Sequence, residues 1–191
     1  MEGRDLPDTA AVMARAYAAD PYLRWLTGRE DFDPDDGAAL MSRLLDGHAK
    51  HGSITVGDRT RQIVGAAIWA PSDHARLSAR RRLGVLIGMV GRVELRAARI
   101  LAAGHPVDRR PSHRHRHLVA LGVEPEDRHR GVGTRLLQAG LALCDAAVLP
   151  AYSEVTDPGS AAFLERFRFE VYDHDRIAPG ATLWRMWRQP A

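Results

Sequence analysis

Residues 128–134 read Arg-His-Arg-Gly-Val-Gly-Thr, and an apolar stretch with helical spacing follows them. If a helix opens near Gly131, its first N–H groups lack intrahelical acceptors and point outward with the positive end of the helix dipole. Such an end holds anions. Gly131 and Gly133 keep side chains away from the backbone and permit the φ values that a nest of amides requires, while Arg128 and Arg130 add charge at the rim. Spacing separates the nucleotide folds that use this device. A P-loop needs Lys followed by Ser or Thr after its glycines, whereas Gly133 is followed by Thr134-Arg135; a dinucleotide fingerprint needs a third glycine where Leu136 stands. What remains is Arg-x-x-Gly-x-Gly, preceded by Leu-Gly-Val-Glu-Pro.

Other reactive residue types are sparse. His113, His115 and His117 alternate and would share one face of an extended chain, but the arginines between them repel a cation and no carboxylate or cysteine adjoins them. They read as strand-face or pocket-lining residues, with no metal site expected; His115 or His117 could serve as a base if it faced a cleft. Cys144, the single cysteine, excludes an internal disulfide and falls in an apolar helical pattern that suits a buried, inert thiol.

The elements that must position these residues follow from periodicity. Residues 7–19 read as a helix through Val12, Ala16 and Ala19, stopped by Asp20-Pro21, and residues 35–51 as a second through Leu40, Leu44 and Leu45. The run from Ser53 to Ala70 predicts a hairpin around a short polar turn. Residues 73–103 are helical in pattern, rich in both arginine and apolar residues. The continuous apolar run from His117 to Val123 suits a central strand feeding the glycine turn. Residues 133–148 then form a helix with Leu137, Leu141, Cys144 and Val148 on one face, ended by Pro150. A strand over 151–156, a short helix opened by Pro158 and running to Arg166, and two more strands complete the chain. The order is helices, hairpin, helices, then β-α-β-α-β-β, an α/β or α+β domain.

At 191 residues a single domain spanning 1–191 is expected. No apolar run reaches membrane-spanning length and the first residues lack a signal-like apolar core, so a cytoplasmic protein without membrane contact is expected. The pI near 9.5 invites a nucleic-acid reading. However, Lys50 is the only lysine among 27 basic residues, and a formal charge of +3 suits a small anionic ligand as well as a polymer. A nucleic-acid substrate such as a charged tRNA is the weaker alternative, and it would show strongly salt-dependent RNA binding. Monomer and homodimer are both open.

The turn with its strand and helix resembles the GNAT superfamily of N-acetyltransferases. The similarity extends from Ala14-Arg-Ala-Tyr-Ala-Ala-Asp-Pro-Tyr-Leu-Arg-Trp-Leu26 through Ala66-Ala-Ile-Trp-Ala-Pro-Ser-Asp73 to the closing strands, in the manner of the branch that includes puromycin N-acetyltransferase. It implies a mixed, mostly antiparallel central sheet flanked by helices, with a splayed strand pair forming the acyl-CoA cleft. Acetyl-CoA would be the acyl donor and a small-molecule amine the acceptor. Its pyrophosphate would lie on Arg128, His129, Arg130, Gly131, Val132, Gly133 and Thr134. The pantetheine arm would pair with the strand at Leu121, Gly122 and Val123, where a backbone N–H meets the thioester oxygen.

The resemblance also exposes a gap. Many members place a tyrosine, the proton donor to sulfur, within Phe-Tyr-Glu-Arg-x-Gly-Phe; this chain has Phe163-Leu164-Glu165-Arg166-Phe167-Arg168-Phe169. Leucine gives no proton, and Arg168 stands where glycine is usual. Tyr152 and Tyr172 are the nearest alternative acids in sequence, both read chiefly as packing residues. Glu154 matches a glutamate of the puromycin-type branch; it could deprotonate the amine directly or through water, or simply bond backbone or an arginine. Asp20, Tyr22, Trp25 and Trp69 could form the acceptor pocket, the aspartate holding a cationic amine, or the tryptophans could be core. A protein that binds CoA without catalysis is the rival reading, motivated by Leu164 and Arg168.

Overall fold

The computed structural model of the chain describes residues 5–27, 34–49, 51–73, 111–178 and 181–191. The helical pattern expected over 73–103 falls almost wholly outside them. Over the described residues the elements run α1 (Asp5–Ala16), α2 (Pro21–Thr27), α3 (Pro34–His48), β1 (Ser53–Arg59), β2 (Gln62–Pro71), β3 (Arg116–Val123), α4 (Val132–Ala146), β4 (Ala151–Val155), α5 (Pro158–Glu165), β5 (Glu170–Ala178) and β6 (Ala181–Arg188). Six strands form one sheet in the order β1-β2-β3-β4-β6-β5. Only β3 and β4 run parallel, joined by α4; every other pair is antiparallel. This is the mixed, mostly antiparallel sheet flanked by helices that the resemblance implied.

Two apolar layers sandwich the sheet. On one face Ala67 and Trp69 of β2 and Leu118 of β3 meet Leu137, Leu141 and Cys144 of α4 and Leu164 of α5. On the other, Ala66, Ile68 and Ala120 meet Met13 and Ala14 of α1 and Met41 and Leu45 of α3. β2 therefore has both faces covered, which is why Val64 to Ala70 form an unbroken buried run.

Two glycines set how closely the helices approach. A Cβ on Gly140 of α4 would fall 2.1 Å from Trp69 Nε1, and one on Gly122 of β3 would fall 2.7 Å from Met13 Sδ and 2.9 Å from Ala16 Cβ. The indole thus lies flush on α4, and α1 lies flush on β3.

Several boundaries and one buried face differ from what the sequence predicts, the end of α3 at His48 instead of residue 51 among them. Helix α1 stops at Ala16, and Asp20-Pro21 starts α2 instead of merely stopping α1: Asp20 Oδ1 accepts from Leu23 N at 2.8 Å, with proline in the first helical position. The buried face of α1 runs through Ala10, Met13 and Ala14 along with Val12, whereas Ala16 is half-buried and Ala19 exposed. Helix α4 ends at Ala146, so Val148 lies beyond it, left-handed at φ 51° and 74% exposed, and does not join Leu137, Leu141 and Cys144. His113 is exposed and precedes β3, so only His115 and His117 share a buried face.

Candidate active site

The cleft originates in a break in strand pairing. β3 and β4 are paired only at Arg116↔Ala151, His117↔Tyr152 and Leu118↔Ser153. On the other side of β3, Trp69 pairs with Leu118 and Ile68 with Ala120, which leaves Val119 as an extra residue. Such a bulge bends its strand and raises the local twist. Here it comes one residue after the last β3–β4 pair, so β3 swings away while β4 continues along β6 as far as Val155↔Trp184. Between the diverging strands lies a cavity of about 730 Å³. Its walls are β3 from Leu118 to Val123, the end of β4, the start of α4, one side of α5, and the corner between α1 and α2.

At the α4 end the wall is made of backbone. Gly131 is the N-cap at φ 79°, and no side chain caps the helix; the first intrahelical bond is Arg135 N to Gly131 O at 3.0 Å. The amides of Val132, Gly133 and Thr134 are therefore first-turn donors without intrahelical acceptors. His129 is also left-handed, at φ 60°. Asp127, buried beneath the turn, takes Arg59 at 3.2 Å and Arg130 at 3.5 Å and pins the loop to the end of β1. Arg128 reaches back, donating to Ala16 O at 2.8 Å and Val123 O at 3.4 Å, so it braces α1 against β3 at the cavity rim. Arg128, His129, Gly131, Val132, Gly133 and Thr134 all line the cavity; Arg130 does not, and lies with Arg59 on the side of the turn that faces β1, bonded to Asp127. The donor set suits an anion: three amides and a helix dipole, with a cation at the edge.

The opposite wall is made of side chains. Glu154 lines the cavity and accepts from Tyr152 Oη at 2.7 Å. Tyr152 is fully buried between His115 and His117, whose ring centroids lie 5.2 and 4.9 Å away. Burial first, and then the Glu154 carboxylate, raise the Tyr152 phenol far above its ordinary range, so its proton stays on oxygen and points at Glu154. The register sets Arg185 of β6 opposite Glu154; its side chain is fully buried and bonds Asp173 at 2.9 Å and Asp175 at 2.8 Å. Neither histidine lines the cavity, and both pack around Tyr152. Among the described residues no group of three or more His, Cys, Asp and Glu could hold a metal ion.

The four residues expected around an acceptor do not stay together. Asp20 lines the cavity, but its carboxylate caps α2 and takes the Thr156 hydroxyl. Tyr22 is half-buried on α2 and outside the cavity lining; burial, then Asp20, push its phenol up to about 12. The Trp25 side chain lies outside the described residues. Trp69 is corrected outright: it is fully buried against α4, because its position in β2 faces Gly140 and not the cleft.

Leu164 is 2% exposed, lines the cavity and packs into the core, so no hydroxyl stands there. Arg168 adopts φ 66° after α5, the left-handed conformation that glycine favours, and Phe167 N and Phe169 N return to Leu164 O. The helix end is thus built in the usual shape with an unusual residue. Among the cavity residues that the sequence did not single out is Tyr17, just past α1, whose Oη lies 3.1 Å from Leu121 N and 3.2 Å from Leu121 O. The spacing 10-13-14-17 was the signal for it, since it continues the buried face of α1.

Residues 22–169 match the model of the acetyltransferase (GNAT) family. The chain belongs to that family. Solved structures agree on the fold: a Corynebacterium glutamicum protein described as histone acetyltransferase HPA2 and related acetyltransferase superposes with a TM-score of 0.68 at 24% identity, over 100% of this chain and 94% of that one. An agmatine N-acetyltransferase variant gives 0.60 at 16% identity, over 99% and 96%. The ribosomal-protein-S18-alanine N-acetyltransferase of Escherichia coli gives 0.59 at 12%, over 100% and 91%. Enzymes of the family take acetyl groups from acetyl-CoA, so this GNAT chain is an acetyltransferase by membership. Among the described residues no helix is long and apolar enough to cross a membrane.

Proposed function

We propose that this GNAT protein transfers an acyl group, acetyl by default, from acyl-CoA to a primary amine of a small molecule by direct attack within a ternary complex. The observation that carries this reading is the uncapped start of α4, whose first-turn amides open onto the cavity where β3 leaves β4. A diphosphate placed there meets three N–H donors and the helix dipole. The pantetheine arm then follows β3 past Val123, Gly122 and Leu121, which brings the thioester to the point of strand divergence. Glu154, on the other lip, is the group that takes the proton of the attacking amine, and Asp20 adds negative charge on the acceptor side. The acceptor amine approaches from the side-chain wall.

The test is thiol release in the presence of acetyl-CoA and a panel of aliphatic and aromatic amines, with acetyl-CoA affinity measured by calorimetry. Turnover with at least one amine is expected. Tight binding of acetyl-CoA with no thiol released by any acceptor would favour the second reading, a CoA-binding protein without catalysis, for which Leu164 is the specific observation.

A further inference from the structure

Although position 164 is leucine, the cavity contains several hydroxyl groups, and most have a fixed use. Ser153 Oγ donates to Leu118 O at 3.2 Å, Thr156 Oγ1 donates to Asp20, and Ser160 Oγ lies 3.1 Å from Asp157 Oδ2, the cap of α5. Thr134 belongs to the first turn of α4. Tyr152 is outside the cavity lining and donates its hydrogen bond to Glu154.

Tyr17 differs in both place and attachment. Its hydroxyl accepts from Leu121 N and donates to Leu121 O, two backbone groups of one residue on the stretch of β3 that has already left β4. An O–H donor usually sits about 2.7–2.8 Å from its acceptor, so a 3.2 Å bond is weak and easily exchanged for a better acceptor. The ring itself is firmly placed. Gly122 lets α1 lie directly on β3, Arg128 ties Ala16 O to the glycine turn, and Arg15 bonds Glu124 at 2.8 Å. Burial pushes the phenol up to about 12, so the hydroxyl keeps its proton across the neutral range.

We infer that Tyr17 is the proton donor to the departing sulfur, acting from just past the end of α1 in place of the side chain that position 164 lacks. This rests on the acyl-CoA reading above. The amine nitrogen bonds the thioester carbon, and the carbonyl pair moves onto oxygen, which takes the Leu121 N–H that Tyr17 releases. When the C–S bond breaks, Tyr17 Oη passes its proton to sulfur; the one proton lost by the amine nitrogen goes to Glu154 and returns through water to the Tyr17 phenolate, which resets both groups. The products are a neutral amide and a free thiol. A phenol near 12 is a weaker acid than a thiol near ~8.5, so the assistance belongs at the low end of the general-acid range, about 100-fold.

The experiment compares wild type, Tyr17→Phe and Tyr17→Phe/Leu164→Tyr by calorimetry with acetyl-CoA, steady-state thiol release and thermal melting. Expected for Tyr17→Phe is unchanged acetyl-CoA affinity and melting with kcat lowered about 100-fold; the double variant, with a phenol restored on α5, regains at least about tenfold. Wild-type kcat in Tyr17→Phe overturns the inference. So does parallel loss of kcat, affinity and melting temperature without recovery in the double variant, which would mark Tyr17 as a brace for α1 only. Failure of the acyl-CoA reading is seen separately, in wild type, as no acetyl-CoA binding or no thiol release, and it removes this inference too.

Discussion

The two walls of the cleft are built on different principles. At the start of α4 the functional groups are backbone amides, and the side chains matter by being absent or by fixing φ, as at Gly131. Across the cavity the polar groups are carboxylate and phenol oxygens, each held by a neighbour: Glu154 by Tyr152, Asp20 by Thr156 and the Leu23 amide, Tyr17 by the Leu121 backbone. A backbone wall tolerates divergence in everything except its conformation. A side-chain wall can be rewired by one substitution, as Leu164 illustrates. The donor end of such an enzyme is therefore expected to be uniform and the acceptor end to vary.

The sharpest way to break the backbone wall is Gly133→Glu. Gly133 is helical, and a Cβ there meets only Val123 Cγ2 at 3.4 Å and Phe163 Cζ at 3.8 Å, both ordinary contacts. The added carboxylate enters the cavity between β3 and α5 at the positive end of α4, where negative charge stabilises the helix by about 0.3–1 kcal/mol. Acetyl-CoA binding is expected to vanish in calorimetry while melting holds or rises. Retained affinity would mean that the diphosphate lies elsewhere. Gly131 is a poorer test, because any side chain at φ 79° is strained by about 1–2 kcal/mol and would blur loss of binding with loss of fold.

The corresponding break in the side-chain wall is Glu154→Gln. The amide oxygen can still accept from Tyr152, so the local bond survives and only basicity is lost. A fall in kcat of about 100-fold or more is expected, with acceptor KM little changed and acetyl-CoA affinity untouched. Equal turnover would reduce Glu154 to a partner for Tyr152.

The same division explains what could be read from the sequence. The glycine turn, the central strand feeding it and the helix after it were all legible, since each is a local pattern with a local cause. The asymmetry of β3 was not: the bulge at Val119 follows from register against β2, and no residue type announces it. Asp20-Pro21 was read as a stop when it is a start, because a cap followed by proline can do either until the next turn is seen to bury apolar residues. Trp69 went to the core because its partner is the missing side chain of Gly140, 71 residues away and invisible to periodicity. Tyr17 carried a fair signal in the spacing of α1, yet its proximity to Leu121 is a property of the tertiary fold alone.

Asp20→Asn sharpens the contrast with a smaller effect. Asparagine caps helices as well as aspartate and can still accept from Thr156, so α2 and its contact to the residue after β4 persist while the charge is removed. An exposed ion pair is worth up to about 1 kcal/mol, so acceptor KM for a cationic amine is expected to rise about fivefold, with acetyl-CoA KM constant. An unchanged acceptor KM would leave Asp20 a structural cap only.

The smallest expected effect concerns the two ends of α4. At its start, left-handed backbone at His129 and Gly131 opens amides onto the cavity; at its end Val148 adopts φ 51° on the exposed surface, serving only to close the helix through Leu149 N to Cys144 O at 2.9 Å. A β-branched residue there costs about 1–2 kcal/mol relative to its preferred conformations, and glycine does not, although glycine loses more chain entropy on folding. Val148→Gly is therefore expected to stabilise the protein by somewhat under about 1 kcal/mol, seen as a rise in Tm of about 2–3 °C. Acetyl-CoA affinity should stay constant, since this left-handed residue faces no ligand. A drop in affinity would show that the two ends of the helix are coupled, and the backbone wall would then be a property of the whole of α4 instead of its first turn.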